Sequence, residues 1–163
     1  MIEARGIFRI FIDIDLSTPI ETCDIFIKKA SKYPIIIGNR KHSKSNILIH
    51  QPKIRELMGK AYTSFSNFIL GLNVSDLTCG MKGFSEEAAK EIFTKTAIDR
   101  WGFDAELIFI AKLYSYPILE VPVKWSHESE TKVRLPGDAI SSITELIRIR
   151  MNQLKKAYEP MKS

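Results

Sequence analysis

Four groups of residues have the types and spacing to do chemistry. Asp13-Ile14-Asp15 closes an apolar run from Gly6 to Ile14. In an extended segment, residues two apart point the same way, so both carboxylates face one site. Two hard oxygen ligands beyond the carboxyl end of a strand suit Mg²⁺ or Mn²⁺ bridging a diphosphate, although so short a pattern is weak by itself. Asp76 precedes Cys79-Gly80-Met81-Lys82-Gly83-Phe84. Its two glycines permit close backbone approach, and Lys82 either meets a phosphate there or is a solvated turn lysine. Arg100-Trp101-Gly102-Phe103-Asp104-Ala105-Glu106 sets two acids at a helix start. They read as a base with its orienter, or only as charges that favour the helix dipole. Thr131-Lys132 with Arg134 follows a strand and can hold an anionic substrate, or merely keep the surface solvated. His42, His50 and His127 stand at no ligand spacing, and Cys23 and Cys79 form neither a zinc site nor a disulfide framework.

Alternating apolar runs and amphipathic segments must position these groups. Gly6 to Ile14 reads as a strand buried on both faces, as in a parallel sheet. Thr18, Pro19 and Glu21 predict a helix start, with Thr18 as cap and the helix running to about Lys32. Tyr33 to Gly38 is a second buried strand, so the three elements form a parallel crossover. Asn39 to Lys53 is polar and basic and reads as a loop. Apolar residues from Ile54 to Leu72 recur at steps of three and four, which predicts a long amphipathic helix. Val74 to Phe84 reads as an irregular loop with short extended pieces, and Ser85-Glu86-Glu87 opens a capped helix to about Thr94. Phe103 to Tyr114 is a helix, and Ile118 to Trp125 a strand whose Pro122 argues for an edge or a bulge. His127 to Gly137 is a polar loop, and Asp138 caps a last helix with one apolar stripe.

With 163 residues, 45% hydrophobic and 26% charged, the chain is a globular α/β protein and not a disordered one. No apolar stretch is long enough to span a bilayer, and nothing in the sequence resembles a secretory signal. A cytoplasmic protein, peripheral on the cytoplasmic face of a membrane, is expected. The net charge of +5 is scattered with no recognition motif, so nucleic acid is not expected as a partner. The last helix and tail concentrate Arg148, Arg150, Lys155 and Lys156, a basic amphipathic face suited to an anionic membrane surface or to solvent.

The order of the segments is more specific than any one of them. F-I-D-I-D-L-S-T-P-I-E, I-I-I-G-N-R, D-L-T-C-G-M-K-G-F, R-W-G-F-D-A-E-L and V-P-V-K-W occur in turn, followed by a T-K loop. From about Ile2 to Arg150 this resembles the family 2 glycosyltransferases that load a sugar onto a polyprenyl phosphate. It looks most like the dolichyl-phosphate glucosyltransferases, with the mannosyltransferases next. The resemblance implies a partial GT-A, Rossmann-like nucleotide-diphospho-sugar transferase fold, a mixed sheet with flanking amphipathic helices. It implies that Asp13 and Asp15 contact the nucleotide diphosphate and its Mg²⁺ or Mn²⁺. By the same resemblance Asp76 and Lys82 line the sugar and phosphate site, and Asp104 and Glu106 lie near the acceptor. Arg40 matches the arginine of a G-S-R segment, with Asn39 in place of serine. Lys132 matches the lysine that faces the lipid phosphate, with Thr131 in place of serine. The implied substrates are UDP-glucose or GDP-mannose and a polyprenyl phosphate lipid.

The resemblance begins mid-domain: residues 1–163 match the C-terminal part of such a catalytic domain, with the D-x-D strand at 6–15 and an acceptor and membrane-facing part at 50–157. The segment that grips the nucleotide base, roughly 70 to 90 residues, has no counterpart in this sequence. Two readings follow: an enzyme whose N-terminal part comes from a separate chain or lies outside this sequence, or a truncated, non-catalytic paralogue acting in membrane association or oligomerisation. An opened sheet exposes an edge, so a homodimer or a complementing N-terminal chain is expected under either. A nucleotidyltransferase-like metal and phosphate site is a third, weaker reading, since D-x-D alone does not separate the classes.

Overall fold

The computed structural model describes residues 1–127 and 137–159. Six strands and five α-helices run β1 (Phe8–Ile12), α1 (Cys23–Lys29), β2 (Ile35–Asn39), β3 (Asn46–Ile49), α2 (Lys53–Leu70), β4 (Met81–Ser85), α3 (Glu86–Phe93), α4 (Phe103–Leu113), β5 (Ile118–Pro122), β6 (Lys124–Ser126) and α5 (Gly137–Leu154) among the described residues. The main sheet has the order β1-β4-β2-β5, and β3 and β6 form a second, two-stranded sheet. β4 is antiparallel to both β1 and β2, whereas β2 and β5 are parallel, so the main sheet is mixed.

Side chains alternate across β2 and split the core into two layers. Ile35 and Ile37 join Phe84, α3, α4 and the Leu146 and Ile149 face of α5. Ile36 faces the other way with Met81 and Val121, covered by Phe26 of α1. Between sheet and helices, Phe11, Phe84, Phe93 and Phe103 pack ring against ring at centroid distances of 5.2–6.4 Å. α4 is apolar almost all round, and residues 105–111 are all buried, as expected of a central helix.

Several elements depart from the sequence reading. β1 is an edge strand with only Arg9 buried, not a strand covered on both faces. β1 and β2 do not adjoin, because β4 inserts between them; the Val74–Phe84 segment hides this strand behind its glycines. Gly83 is required there, since a Cβ would strike the Phe8 ring. Thr18 makes no cap: a 3₁₀ turn at Ile20–Thr22 leads into α1, which ends at Lys29 and not Lys32. The 39–53 segment contains β3, and the predicted strand from Ile118 breaks at Val123 into β5 and β6. Ser85 does cap α3, its Oγ accepting from the Ala88 N–H. α2 turns Thr63, Ser66 and Leu70 inward, and its stripe of Ile54, Leu57, Phe65 and Phe68 faces out.

Candidate functional site

Because β1 and β2 run parallel and β4 runs against both, the C-terminal ends of β1 and β2 lie beside the start of β4. This brings Asp13, Arg40 and Lys82 to one border of the sheet, where ligands of open α/β sheets bind. The loop 71–80 carries Asp76 to the same border, and the first turn of α4 carries Asp104.

Arg40 and Asp76 form the firmest pair. Arg40 donates to the Asp76 carboxylate from its backbone N–H at 2.9 Å, from Nε at 2.7 Å and from Nη2 at 2.7 Å. Nη2 also donates to Thr78 Oγ1 at 2.9 Å, and the guanidinium lies 5.4 Å from the centre of the Trp125 ring. Burial pushes the Asp76 carboxyl up, but the hydrogen bonds and charge of Arg40 outweigh it and hold the group below the usual carboxylate range. Burial likewise opposes the Arg40 cation, and the Asp76 carboxylate overcomes it, so the guanidinium stays charged. Lys82 is fully buried in β4, and its Nζ donates to the Cys79 carbonyl and to Asp104 Oδ1, each at 2.7 Å. The ammonium also lies 5.7 Å from the centre of the Phe11 ring. Lys82 is therefore not a solvated turn lysine; it is the internal partner of Asp104.

Asp13 and Asp15 do not share a side by strand alternation, because β1 ends at Ile12. A turn brings them together instead, closed by the Leu16 N–H donating to the Asp13 carbonyl at 3.0 Å with Leu16 at φ 52°. Asp15 Oδ1 accepts from the Ser17 N–H at 3.0 Å. The Asp13 N–H donates to the Gly80 carbonyl, and a Cβ at Gly80 would collide with the Asp13 carboxylate. Burial, then the charges of Asp104 and Asp15, push the Asp13 carboxyl up, with Lys82 and Arg40 opposing. That excess of negative charge fits a divalent cation. Among the described residues no three metal-ligating side chains converge, so Asp13 and Asp15 would supply only two carboxylates to a divalent cation and leave the rest of its coordination to groups outside the chain.

Glu106 points elsewhere. Two residues after Asp104 on a helix, it is fully buried; Oε2 accepts from the Ala97 and Ile98 N–H groups at 2.9 Å each, and Oε1 accepts from the Tyr158 hydroxyl at 2.6 Å. It ties the α3–α4 connection and the C-terminal segment to α4 and does not reach the charged cluster. Thr131, Lys132 and Arg134 lie outside the described residues.

A cleft of about 360 Å³ opens beside Arg40 and Asp76, lined also by Lys41, His50, Glu56, Lys60 and Trp125. Trp125 is the hinge of the site, since it also lines a narrow recess with Asp13, Ser17, Thr18 and Gly80. The Ser126 N–H donates to the Ser17 carbonyl at 2.9 Å and so fixes the acidic turn against β6. Sequence reasoning assigned Trp125 and Lys60 no role; the usable signal was an aromatic residue at the end of V-P-V-K-W.

A mixed sheet with acidic and basic groups at one border defines a partial Rossmann-like glycosyltransferase fold. The chain is 30% identical over 151 residues to a dolichyl-phosphate beta-glucosyltransferase of Saccharomyces cerevisiae, covering 91% of this chain and 45% of that protein. It is 27% identical over 157 residues to that of Dictyostelium discoideum, 93% of this chain and 48% of that protein. It is 28% identical over 124 residues to that of Homo sapiens, 76% of this chain and 38% of that protein. Over most of its own length the chain is thus similar to dolichyl-phosphate glucosyltransferases. It spans about half the length of the curated relatives it matches. No family model matches it.

Proposed function

We propose that the chain is the acceptor-side part of a glycosyltransferase that moves a hexose from a nucleotide-diphospho-sugar to dolichyl phosphate. The observation that carries this reading is the cleft whose wall is the buried Arg40–Asp76 pair and which meets the Asp13 recess at Trp125. An acceptor phosphate oxygen attacks the anomeric carbon, and the bond from that carbon to the diphosphate breaks with its electron pair on the leaving group. The acceptor is already an anion, so it needs positioning more than a strong base. Arg40, Lys41 and Lys60 line the cleft beside Asp76 and Glu56; Asp76 fixes the Arg40 fork, Lys60 pairs with Glu56 at 2.6 Å, and the cleft keeps a net positive charge. Lys82 neutralises Asp104 and fixes it beside Asp13. Asp13 and Asp15 would hold Mg²⁺ or Mn²⁺, which when bound with the diphosphate offsets the charge of the leaving group.

The names of the relatives favour glucose, hence UDP-glucose over GDP-mannose as donor. The lipid acceptor favours a membrane surface, toward which α2 and α5 would turn their outward apolar stripes and the basic residues beside them. The test is transfer of labelled hexose from UDP-glucose or GDP-mannose, with Mn²⁺, to dolichyl phosphate in vesicles. The chain is assayed alone and with a separately produced N-terminal segment of a full-length relative. Labelled lipid that disappears with Arg40→Ala is the expected result. No product and no binding of either nucleotide-sugar in both arms would sink the transferase reading and favour a non-catalytic paralogue.

A further inference from the structure

We propose that Asn39 and Glu120 are positioning residues: through Ser75 they hold Asp76, and so the Arg40 guanidinium, in place at the cleft. This role rests on the reading of the cleft as a phosphate site, and adds two residues that do not line it. Asn39 is the last residue of β2 and Glu120 the third of β5. The parallel register sets Glu120 opposite Ile37, and Asn39, two residues on, shares the face of Ile37. The two side chains therefore meet, and Asn39 Nδ2 donates to Glu120 Oε2 at 2.7 Å.

From this pair, hydrogen bonds run round a closed ring. The Lys41 N–H donates to Asn39 Oδ1 at 2.7 Å, which fixes the amide with Nδ2 toward Glu120. The Ser75 N–H donates to both Glu120 oxygens, at 2.9 and 3.1 Å. Lys41 Nζ donates to the Ser75 carbonyl at 2.7 Å and closes the ring. Both main-chain groups of Ser75 are thus taken by side chains, one from β5 and one from just beyond β2. Arg40 lies between the ring residues Asn39 and Lys41, and Asp76 directly follows Ser75. The ring flanks the Arg40–Asp76 pair on both of its chain segments.

Asp76 holds Arg40 by both carboxylate oxygens, Oδ2 to Nε and Oδ1 to Nη2, two bonds of fixed direction. A shift of the Ser75 peptide shifts that carboxylate, and the guanidinium fork follows. The fork lines the cleft, so its direction decides how it meets an anion there.

Substitutions of the same shape break the pair and remake it. In either orientation of the amide, Glu120→Gln turns an NH2 toward a donor, Asn39 Nδ2 or the Ser75 N–H. Asn39 cannot rotate to help, because Oδ1 would leave the Lys41 N–H. Asn39→Asp sets two carboxylates where the 2.7 Å bond was. In the double variant the new carboxylate accepts from the Lys41 N–H and from the new amide, whose oxygen accepts from the Ser75 N–H. Its net charge equals that of the wild type.

The experiment reads the Arg40 Nε–H resonance by NMR without ligand, and inorganic phosphate affinity by calorimetry, on the full chain below each melting temperature. Each single variant is expected to move the resonance and to weaken phosphate binding about tenfold, and the double variant to lie within about twofold of wild type. A resonance unmoved in both single variants overturns the proposal. So does phosphate binding that is unchanged in them, or that the double variant does not restore. Those three results leave the cleft reading intact, because the wild type binds. A wild type that binds no phosphate overturns the cleft reading and this role together. Should a single variant fail to fold, the double variant carries the test: it must fold and bind phosphate as the wild type does.

Discussion

Asp76, 1% exposed, receives three hydrogen bonds from Arg40 across 36 residues of sequence, two from the guanidinium and one from the backbone. The loop after α2 is thereby locked to the end of β2. Removing one partner of a buried ion pair strands the other charge, so Asp76→Asn should cost about 3 kcal/mol of stability by denaturant titration. The acid dependence has a definite sign. The folded pKa of Asp76 lies below its unfolded value near 3.9, so its stabilisation is complete above that value and is lost as pH falls through the folded pKa. Asp76→Asn should therefore unfold more easily at neutral pH and lose part of the wild type's acid sensitivity below about pH 4.

Glu106 and Tyr158 should behave as a structural latch. Tyr158→Phe leaves Glu106 Oε1 buried without its 2.6 Å donor, a loss of about 2 kcal/mol on the cost of an unsatisfied buried acceptor. Glu106→Gln should cost less, because the amide oxygen can keep the Ala97 and Ile98 N–H bonds while its NH2 donates to the Tyr158 hydroxyl. Burial, then the hydrogen bond to Glu106, push the Tyr158 hydroxyl pKa up, and burial also pushes up Tyr62 and Tyr116, so ultraviolet titration should show three tyrosines that resist ionisation, two of which remain in Tyr158→Phe. If either variant abolished sugar transfer while leaving the melting temperature unchanged, the structural assignment would fail.

The elements that were legible in the sequence were those set by one strong local signal. α3 shows its Ser85 cap, α4 its continuous apolar surface and β2 its run of isoleucines. β4 was legible only as a short extended piece within a loop, because two glycines and a lysine interrupt its pattern; the Lys82 bonds to Asp104 and to the Cys79 carbonyl let that lysine sit inside a sheet. The outward face of α2 was equally hidden, since a periodic apolar stripe says where a helix is amphipathic and not which side meets the core. Asp13, Arg40, Asp76, Lys82 and Asp104 were all chosen from sequence, and the fold gathers them at one border. Glu106 was chosen with Asp104 by spacing, yet two residues on a helix turn by about 200°, so the pair diverges.

Gly80 should control the acidic turn. A methyl group there meets the Asp13 carboxylate and its Cβ, so side chain and turn must both shift, and Gly80→Ala should cost about 1–3 kcal/mol. Mn²⁺ with a nucleoside diphosphate should raise the melting temperature of the wild type. The rise should be small or absent in Gly80→Ala, Asp13→Asn and Asp15→Asn. Asp13→Asn without metal should melt slightly higher than wild type, because it removes a carboxylate that burial, Asp104 and Asp15 all disfavour. An equal Mn²⁺ response in all four proteins would exclude Asp13 and Asp15 as its ligands.

The outward stripes of α2 and α5 make a membrane prediction with two separable parts. α2 exposes Ile54, Leu57, Phe65 and Phe68, and α5, packed beside it, exposes Ile140, Ile143, Ile147, Met151 and Leu154. No helix among the described residues is long and apolar enough to cross a bilayer, so contact would be at the surface. Flotation with vesicles should show binding that needs anionic lipid and weakens with salt, the contribution of Lys53, Arg55, Arg148 and Arg150. The apolar part is tested by Phe68→Ser with Leu154→Ser, at positions 83% and 78% exposed, where substitution leaves the fold nearly unchanged. Losing two inserted side chains should weaken partitioning by at least about tenfold at constant salt, since each is worth about 1.5–3 kcal/mol when fully buried. Loss of the salt dependence alone, with partitioning unaltered in the double variant, would assign binding to the basic residues and remove the apolar stripes from it.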